Sequence, residues 1–135
     1  MMKQRRRMLM RVKENLMKYA AYYSSWTIST TTENTGAFWG STSINGLFII
    51  PITQGKTYII KKISLIGSTL RAGFFVDLPI TSDKTVYNYY TAEDGVSLTL
   101  TAPSNCNYLA IRGHSGSTDG DVSEQLKQIL KVEEL

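Results

Sequence analysis

The sequence predicts a mostly β protein, an antiparallel β-sandwich preceded by an N-terminal α-helix. Three observations predict it. From residue 24 onward, short runs of Val, Ile, Thr, Tyr and Phe alternate with polar turns at a spacing of about 8–12 residues, and almost no helical pattern intervenes. Before that point Leu9, Val12, Leu16, Tyr19 and Tyr23 recur at steps of three and four, with Met2 one heptad ahead of Leu9. The charge divides at the same place. Residues 1–23 hold seven basic groups against one acid, Glu14, a net of +6. The remaining 112 residues, with eight basic and ten acidic groups, carry −2 of the overall +4. All five methionines (1, 2, 8, 10 and 17) lie in the basic part. The expected division is therefore a basic amphipathic helix over 1–23 and a sandwich domain over 24–135.

Within 1–23 no Gly or Pro interrupts the pattern, and Arg5, Arg6, Arg7, Arg11 and Lys18 surround the apolar stripe. Such a helix serves as a self-association seam or as an anchor in a groove of an acidic partner; the plainer alternative packs it on its own domain. Positive charge without any accompanying motif is a poor argument for nucleic acid or for a membrane surface.

The clearest strand signal is the run from Phe48 to Ile60, which reads as strand, tight turn, strand. Gly55 supplies the positive φ that the turn at Gln54 and Gly55 requires. Pro51 cannot donate to a ladder, so the first of these strands is expected at an edge or with a bulge. Around this pair, 26–30 alternates as a short strand, 31–36 reads as a loop, and 37–40 as a strand or ordered turn. Residues 70–76 form a strand that Leu78 and Pro79 end, and 86–90 another. At 96–101, Val96, Leu98 and Leu100 share one face. Residues 102–107 read as a loop and 108–112 as a strand. The C-terminal part carries a capping-box pattern from Asp121 to Glu124; a short turn or helix there is expected to lead into a last strand near 128–132.

Length and composition suit one compact domain plus an appendage. Cys106 is the only cysteine, which excludes an intramolecular disulfide. No run approaches the roughly 18–20 apolar residues of a membrane span. No apolar core of the signal-peptide kind follows the first basic residues, so synthesis in a cytoplasm without classical export is expected.

Residues able to carry chemistry are sparse. His114 is the only histidine, flanked by Gly113 and Gly116, and no Gly-x-Ser-x-Gly elbow is present. The glycines at 36–40 lack the Lys-Ser/Thr ending of a phosphate loop. Asp119 and Asp121 suit a turn with a helix cap better than a twelve-residue calcium loop. Asp77 and Asp83 are two loop carboxylates whose separation the sequence does not fix. No catalytic, cofactor or metal site is expected. The aromatic set offers more: in a regular strand Tyr87 and Tyr89 share a face, with Asn88 and Glu93 nearby, and Trp39 sits in a Gly-flanked stretch. Exposed, these residues are able to stack on a sugar ring and bond its hydroxyls; buried, they are ordinary packing.

Four stretches occur in a telling order. They are Ile52-Thr53-Gln54-Gly55-Lys56-Thr57-Tyr58-Ile59-Ile60, then Ala72-Gly73-Phe74-Phe75, then Thr101-Ala102-Pro103-Ser104-Asn105-Cys106-Asn107-Tyr108-Leu109, and Val132-Glu133 near the end. In that order the chain from about Ile44 to Glu133 resembles the small jelly-roll modules of fibres and receptor-binding proteins of tailed phages. Cys106 departs from the small residue expected in the third stretch, and the basic segment 1–23 lies outside the module. The resemblance implies a jelly-roll-like sandwich and a non-enzymatic virion protein, with no catalytic residue to carry over. The expected role is a fibre or decoration subunit, a head fibre in preference. Its helix would attach to other virion proteins or build a homo-oligomer, with a trimer favoured, through Leu9, Val12, Leu16, Tyr19 and Tyr23. Arg5, Arg6, Arg7 and Arg11 would form the rim. The alternative is a carbohydrate-binding receptor-recognition module using Trp39, Tyr87, Asn88 and Tyr89 on a cell-surface glycan.

Overall fold

One sheet of the molecule is covered on both faces, and this accounts for most of its apolar sequence. The computed structural model describes residues 13–40, 46–62, 70–92, 97–112 and 127–135. After a 3₁₀ turn (Leu16–Tyr19) come β1 (Ala21–Ser24), β2 (Trp26–Thr32), β3 (Thr35–Gly40), β4 (Gly46–Pro51) and β5 (Thr57–Lys62). Then follow β6 (Leu70–Phe75), β7 (Thr85–Ala92), β8 (Ser97–Thr101), β9 (Tyr108–Arg112) and β10 (Leu130–Glu134). Seven strands form a sheet in the order β1-β4-β9-β6-β7-β3-β2, and three form a second in the order β10-β5-β8. Every pairing among the described residues is antiparallel. The fold is thus mostly β and sandwich-like.

The large sheet curls. Its far strand β2 comes back beside β4, and Arg71 of β6 reaches across to donate to the Ile28 carbonyl of β2 at 2.8 Å. The curl encloses one core, of Ile28, Phe38, Leu47, Ile49, Phe75, Ile80, Val86, Tyr89 and Ala110. The opposite face carries a second core, shared with the small sheet, built on Phe48, Ile50, Tyr58, Ile60, Phe74, Leu100, Leu109, Ile111 and Val132. Strand side chains alternate between faces, so β4 sends Leu47 and Ile49 into one core and Phe48 and Ile50 into the other. A strand covered on both sides reads as an unbroken apolar run.

Several expectations hold. The turn at Gln54 and Gly55 exists, with Gly55 at φ 80°. Leu98 and Leu100 face the core shared with the small sheet. At the C-terminus, 127–129 are helical and lead into β10.

Others need correction. The strands flanking Gly55 do not pair with each other: β4 lies in the large sheet and β5 in the small one, so the turn is a corner between layers. Nor is β4 an edge, since it lies between β1 and β9. Pro51 is tolerated because it is the last residue of the strand, two positions beyond the final β1 pair, Ala21 with Ile49. Ile52 N–H donates toward β9, to Asn107 O, so the Pro51 nitrogen points to the side where pairing has already stopped. The expected loop at 31–36 shrinks to Glu33 and Asn34, with Asn34 at φ 63°.

The largest correction concerns the N-terminus. Leu9, Val12, Arg5, Arg6, Arg7 and Arg11 lie outside the described residues. Over 13–23, however, there is no α-helix. Asn15 caps a single 3₁₀ turn, its Oδ1 accepting from Met17 N–H, and Ala20 is already extended at φ −74°, ψ 136°. Tyr22 and Tyr23 then pair with Phe48 and Leu47 as strand β1, which crosses the expected boundary at 23/24. Leu16 packs toward the core shared with the small sheet and Tyr23 toward the enclosed one, while Tyr19 is 55 % exposed. The step-three, step-four pattern is therefore no seam here. Tyrosines fit a pleated sheet, and pairing with β4 outweighs the weak local preference for helix.

Candidate functional site

Three places on the molecule bring sequence-predicted residues together. The first is the corner where three of the four recognisable stretches meet. Gly55 N–H donates to Ala102 O at 2.9 Å, and Ala102 N–H donates to Lys56 O at 2.9 Å. Asn107 N–H donates to Phe75 O at 3.1 Å and its side-chain amide to Val76 O at 3.0 Å. Gln54 Nε2 donates to Asn107 Oδ1 at 2.9 Å, and the Thr57 and Thr101 hydroxyls lie 2.7 Å apart. Tyr58, fully buried, receives Thr53 N–H on its hydroxyl at 2.8 Å. These residues tie the two sheets together. The corner offers satisfied backbone groups and no converging reactive side chains.

The second place is the outer face of β2, β3 and β7, on the side away from the enclosed core. Trp39 is 53 % exposed and stands directly opposite Thr27 in the β2–β3 ladder. Thr35 pairs with Tyr87 and Ala37 with Thr85, so Trp39, Ala37, Thr35, Thr85 and Tyr87 share this face. Trp39 and Tyr87 are four ladder positions apart, about 13 Å at a strand's rise. A single sugar ring cannot touch both.

The expected Tyr87–Tyr89 pair does not form. β7 has one extra residue opposite β6, where Phe74 pairs with Tyr87 but Ala72 pairs with Tyr90. Asn88, at φ 47°, is the bulged residue. The bulge resets the alternation, so Tyr89 turns into the enclosed core at 3 % exposure and Tyr87 packs against the other core. Tyr90, 42 % exposed, takes the position expected of Tyr89. Asn88 is committed as well: its side chain donates to Thr101 O at 2.6 Å, and the next residue's N–H donates to Asn34 O at 3.0 Å. Of the four sugar-contact candidates, Trp39 alone is free to act. Glu93 lies outside the described residues.

The third place is where 13–20 docks against β10, lining an open groove of about 500 Å³ with Glu14, Asn15, Met17, Lys18, Lys127 and Gln128. Met17 is buried among the residues of the shared core. Glu14 and Lys18 form an exposed ion pair, with Lys18 also 5.2 Å from the centre of the Tyr19 ring. Exposed pairs of this kind contribute little to stability.

Sequence reading missed a pair of basic groups inside the curl. Arg71, half-buried, and Arg112, buried, stand opposite each other on β6 and β9, facing the enclosed side. Burial and the neighbouring Arg71 charge lower the Arg112 pKa to about 10. Arg71 Nη1 spans the curl as described, so this group closes the sheet.

Other candidates do not assemble. His114, Asp119 and Asp121 lie outside the described residues. Asp77 pairs with Lys84 at 3.1 Å, and Asp83 is held below the usual carboxylate range by the Thr81 hydroxyl. A glycosidase acid requires the opposite shift. No group of three or more potential metal ligands occurs among the described residues, and no helix there is long and apolar enough to cross a membrane.

Cys106 is fully buried, and burial pushes its thiol up to about 11. The thiolate is the nucleophile, so the folded protein is expected to react with a thiol reagent at pH 8 far more slowly than a free thiol does. One equivalent should label promptly on denaturation; rapid labelling of the native chain would contradict this placement.

The chain matches no family model, no curated protein and no solved structure.

Proposed function

We propose that this protein is a non-enzymatic virion component of a tailed phage, a fibre or decoration subunit with a jelly-roll-like head and a basic N-terminal attachment segment. The supporting observation is the corner. Three of the four stretches that carry the resemblance meet in one hydrogen-bonded corner, through Gly55, Ala102, Phe75 and Asn107. Residues shared with a module for the sake of architecture belong at such a joint. The charge division supports the attachment role: Lys3, Arg5, Arg6, Arg7 and Arg11 are the only charged groups of 1–12, and all are basic. Such a segment is attracted to an acidic capsid or tail surface. A head fibre is the preferred location and a homo-oligomer the working state, with multivalent attachment of several basic segments strengthening individually weak contacts. The test is fractionation of purified particles from cells carrying the encoding phage. A stoichiometric band that stays with particles in density gradients is expected; recovery only in the soluble fraction would sink the proposal.

A second reading, recognition of a cell-surface glycan, rests on Trp39, which is half exposed on a sheet face beside threonines. Aromatic faces stack on sugars, and Trp39 presents such a face to solvent. Under this reading Trp39→Ala abolishes binding to host cells with an unchanged melting temperature. Retained cell binding would remove it. Tyr87→Ala is a poor test, because Tyr87 packs against the core.

A further inference from the structure

We propose that the outer edge of β10 is a dimerisation edge for a second copy of this chain, held closed by Asn15 and Lys13. The edge strand of a sheet exposes backbone donors and acceptors that pair readily with another strand. In β10 those groups belong to residues 130, 132 and 134, because 131, 133 and 135 point toward β5, as Leu135 N–H donating to Thr57 O at 2.8 Å requires. Asn15 occupies two of them. Its Nδ2 donates to Leu130 O at 3.2 Å and its Oδ1 accepts from Val132 N–H at 3.0 Å. One side-chain amide thus bonds β10 as a residue of a parallel neighbouring strand would. Lys13 Nζ covers the next position, donating to Glu134 O at 2.9 Å.

Beneath this plug the strand is complementary to itself. Antiparallel pairing about a two-fold axis at Val132 sets Val132 opposite Val132 and Leu130 opposite Glu134, matching the groups that point outward. It also sets Lys131 opposite Glu133 of the second copy, twice. Within one chain the cross-strand neighbour of Lys131 is Lys61, a like charge on the same solvent face. Like charges directly opposite are unfavourable, and opposite ones favourable. The second copy therefore supplies the carboxylate that β5 does not. The resulting sheet has six strands, β8-β5-β10 continued by β10-β5-β8. This inference does not depend on the virion reading.

The test is light scattering on the full chain. Asn15→Ala is expected to double the mass relative to the unaltered protein at high micromolar concentration. Adding Lys131→Glu should abolish the doubling, and adding Glu133→Lys to that variant should restore it. No doubling with Asn15→Ala overturns the proposal, as does doubling indifferent to Lys131→Glu. Should Asn15→Ala fail to fold, Asn15→Ser, which keeps a side-chain cap for the 3₁₀ turn but is too short to bond both β10 groups, carries the pair Lys131→Cys and Glu133→Cys in its place. These positions face each other as a close, non-hydrogen-bonded pair within disulfide reach. Oxidation should then give cross-linked dimers, and their absence overturns the proposal equally.

Discussion

Removal of residues 1–23 is expected to unfold the protein, whereas removal of residues 1–12 is expected to leave its melting temperature within about 2 °C of the full chain. The two deletions differ by eleven residues, and those residues belong to the body. They contain three of the four residues of β1, Ala21 to Tyr23, which pair with Ile49, Phe48 and Leu47 of β4. They contain Met17, buried in the core shared with the small sheet; truncating a buried methionine to Ala alone costs about 2–5 kcal/mol. They also contain Tyr22, whose ring lies 5.0 Å from that of Phe48. Taking all of these away opens one side of the core and bares the edges of β4 and β10. Total stabilities of roughly 5–15 kcal/mol do not survive such a loss. Thermal unfolding followed by circular dichroism checks both halves of the expectation. A cooperative transition for the chain starting at Ser24 would show that β1 and the 3₁₀ turn are dispensable.

Gly73→Ala is expected to destabilise by about 1–3 kcal/mol and to lower the melting temperature by roughly 4–15 °C. Gly73 lies in β6 opposite the bulge, where β7 approaches most closely. A β-carbon there would stand 2.5 Å from Val86 Cγ1, 3.1 Å from Tyr87 O and 3.1 Å from Tyr89 Cα. Val86 is fully buried in the enclosed core and two of the three atoms are backbone, so the neighbours have little freedom to retreat. Gly40→Ala is the matched control, since nothing lies within 4 Å of a β-carbon at that position. Equal melting temperatures for the two variants would mean that the bulge is not held as described.

The strands were legible in the sequence because burial writes itself locally. The run Leu47 to Ile50 is apolar throughout, and the alternation at Leu98 and Leu100 marks a half-covered edge strand. Gly55 was legible as a turn for the same reason, since positive φ is a property of one residue. Which strands then pair is a long-range matter: nothing near Gly55 distinguishes a hairpin from a corner between sheets. The shared face expected of Tyr87 and Tyr89 is lost because one inserted residue at Asn88 reverses every side chain after it. Sequence alternation cannot register a bulge. The helical reading of 13–23 failed because Tyr23 satisfies a three-four spacing and a strand register equally well, and β4 decides between them. Asn15 was invisible altogether. Its role as an edge plug depends on Leu130 and Val132, more than a hundred residues away.

Particle association of the full chain against the chain beginning at Lys13 tests the central claim most directly. The account predicts that the shorter protein melts like the full chain yet no longer sediments with particles, because it keeps the folded body and loses Lys3, Arg5, Arg6, Arg7 and Arg11. A shortened protein that remains particle-bound at full stoichiometry would contradict the attachment role of the basic segment and move it to the folded body.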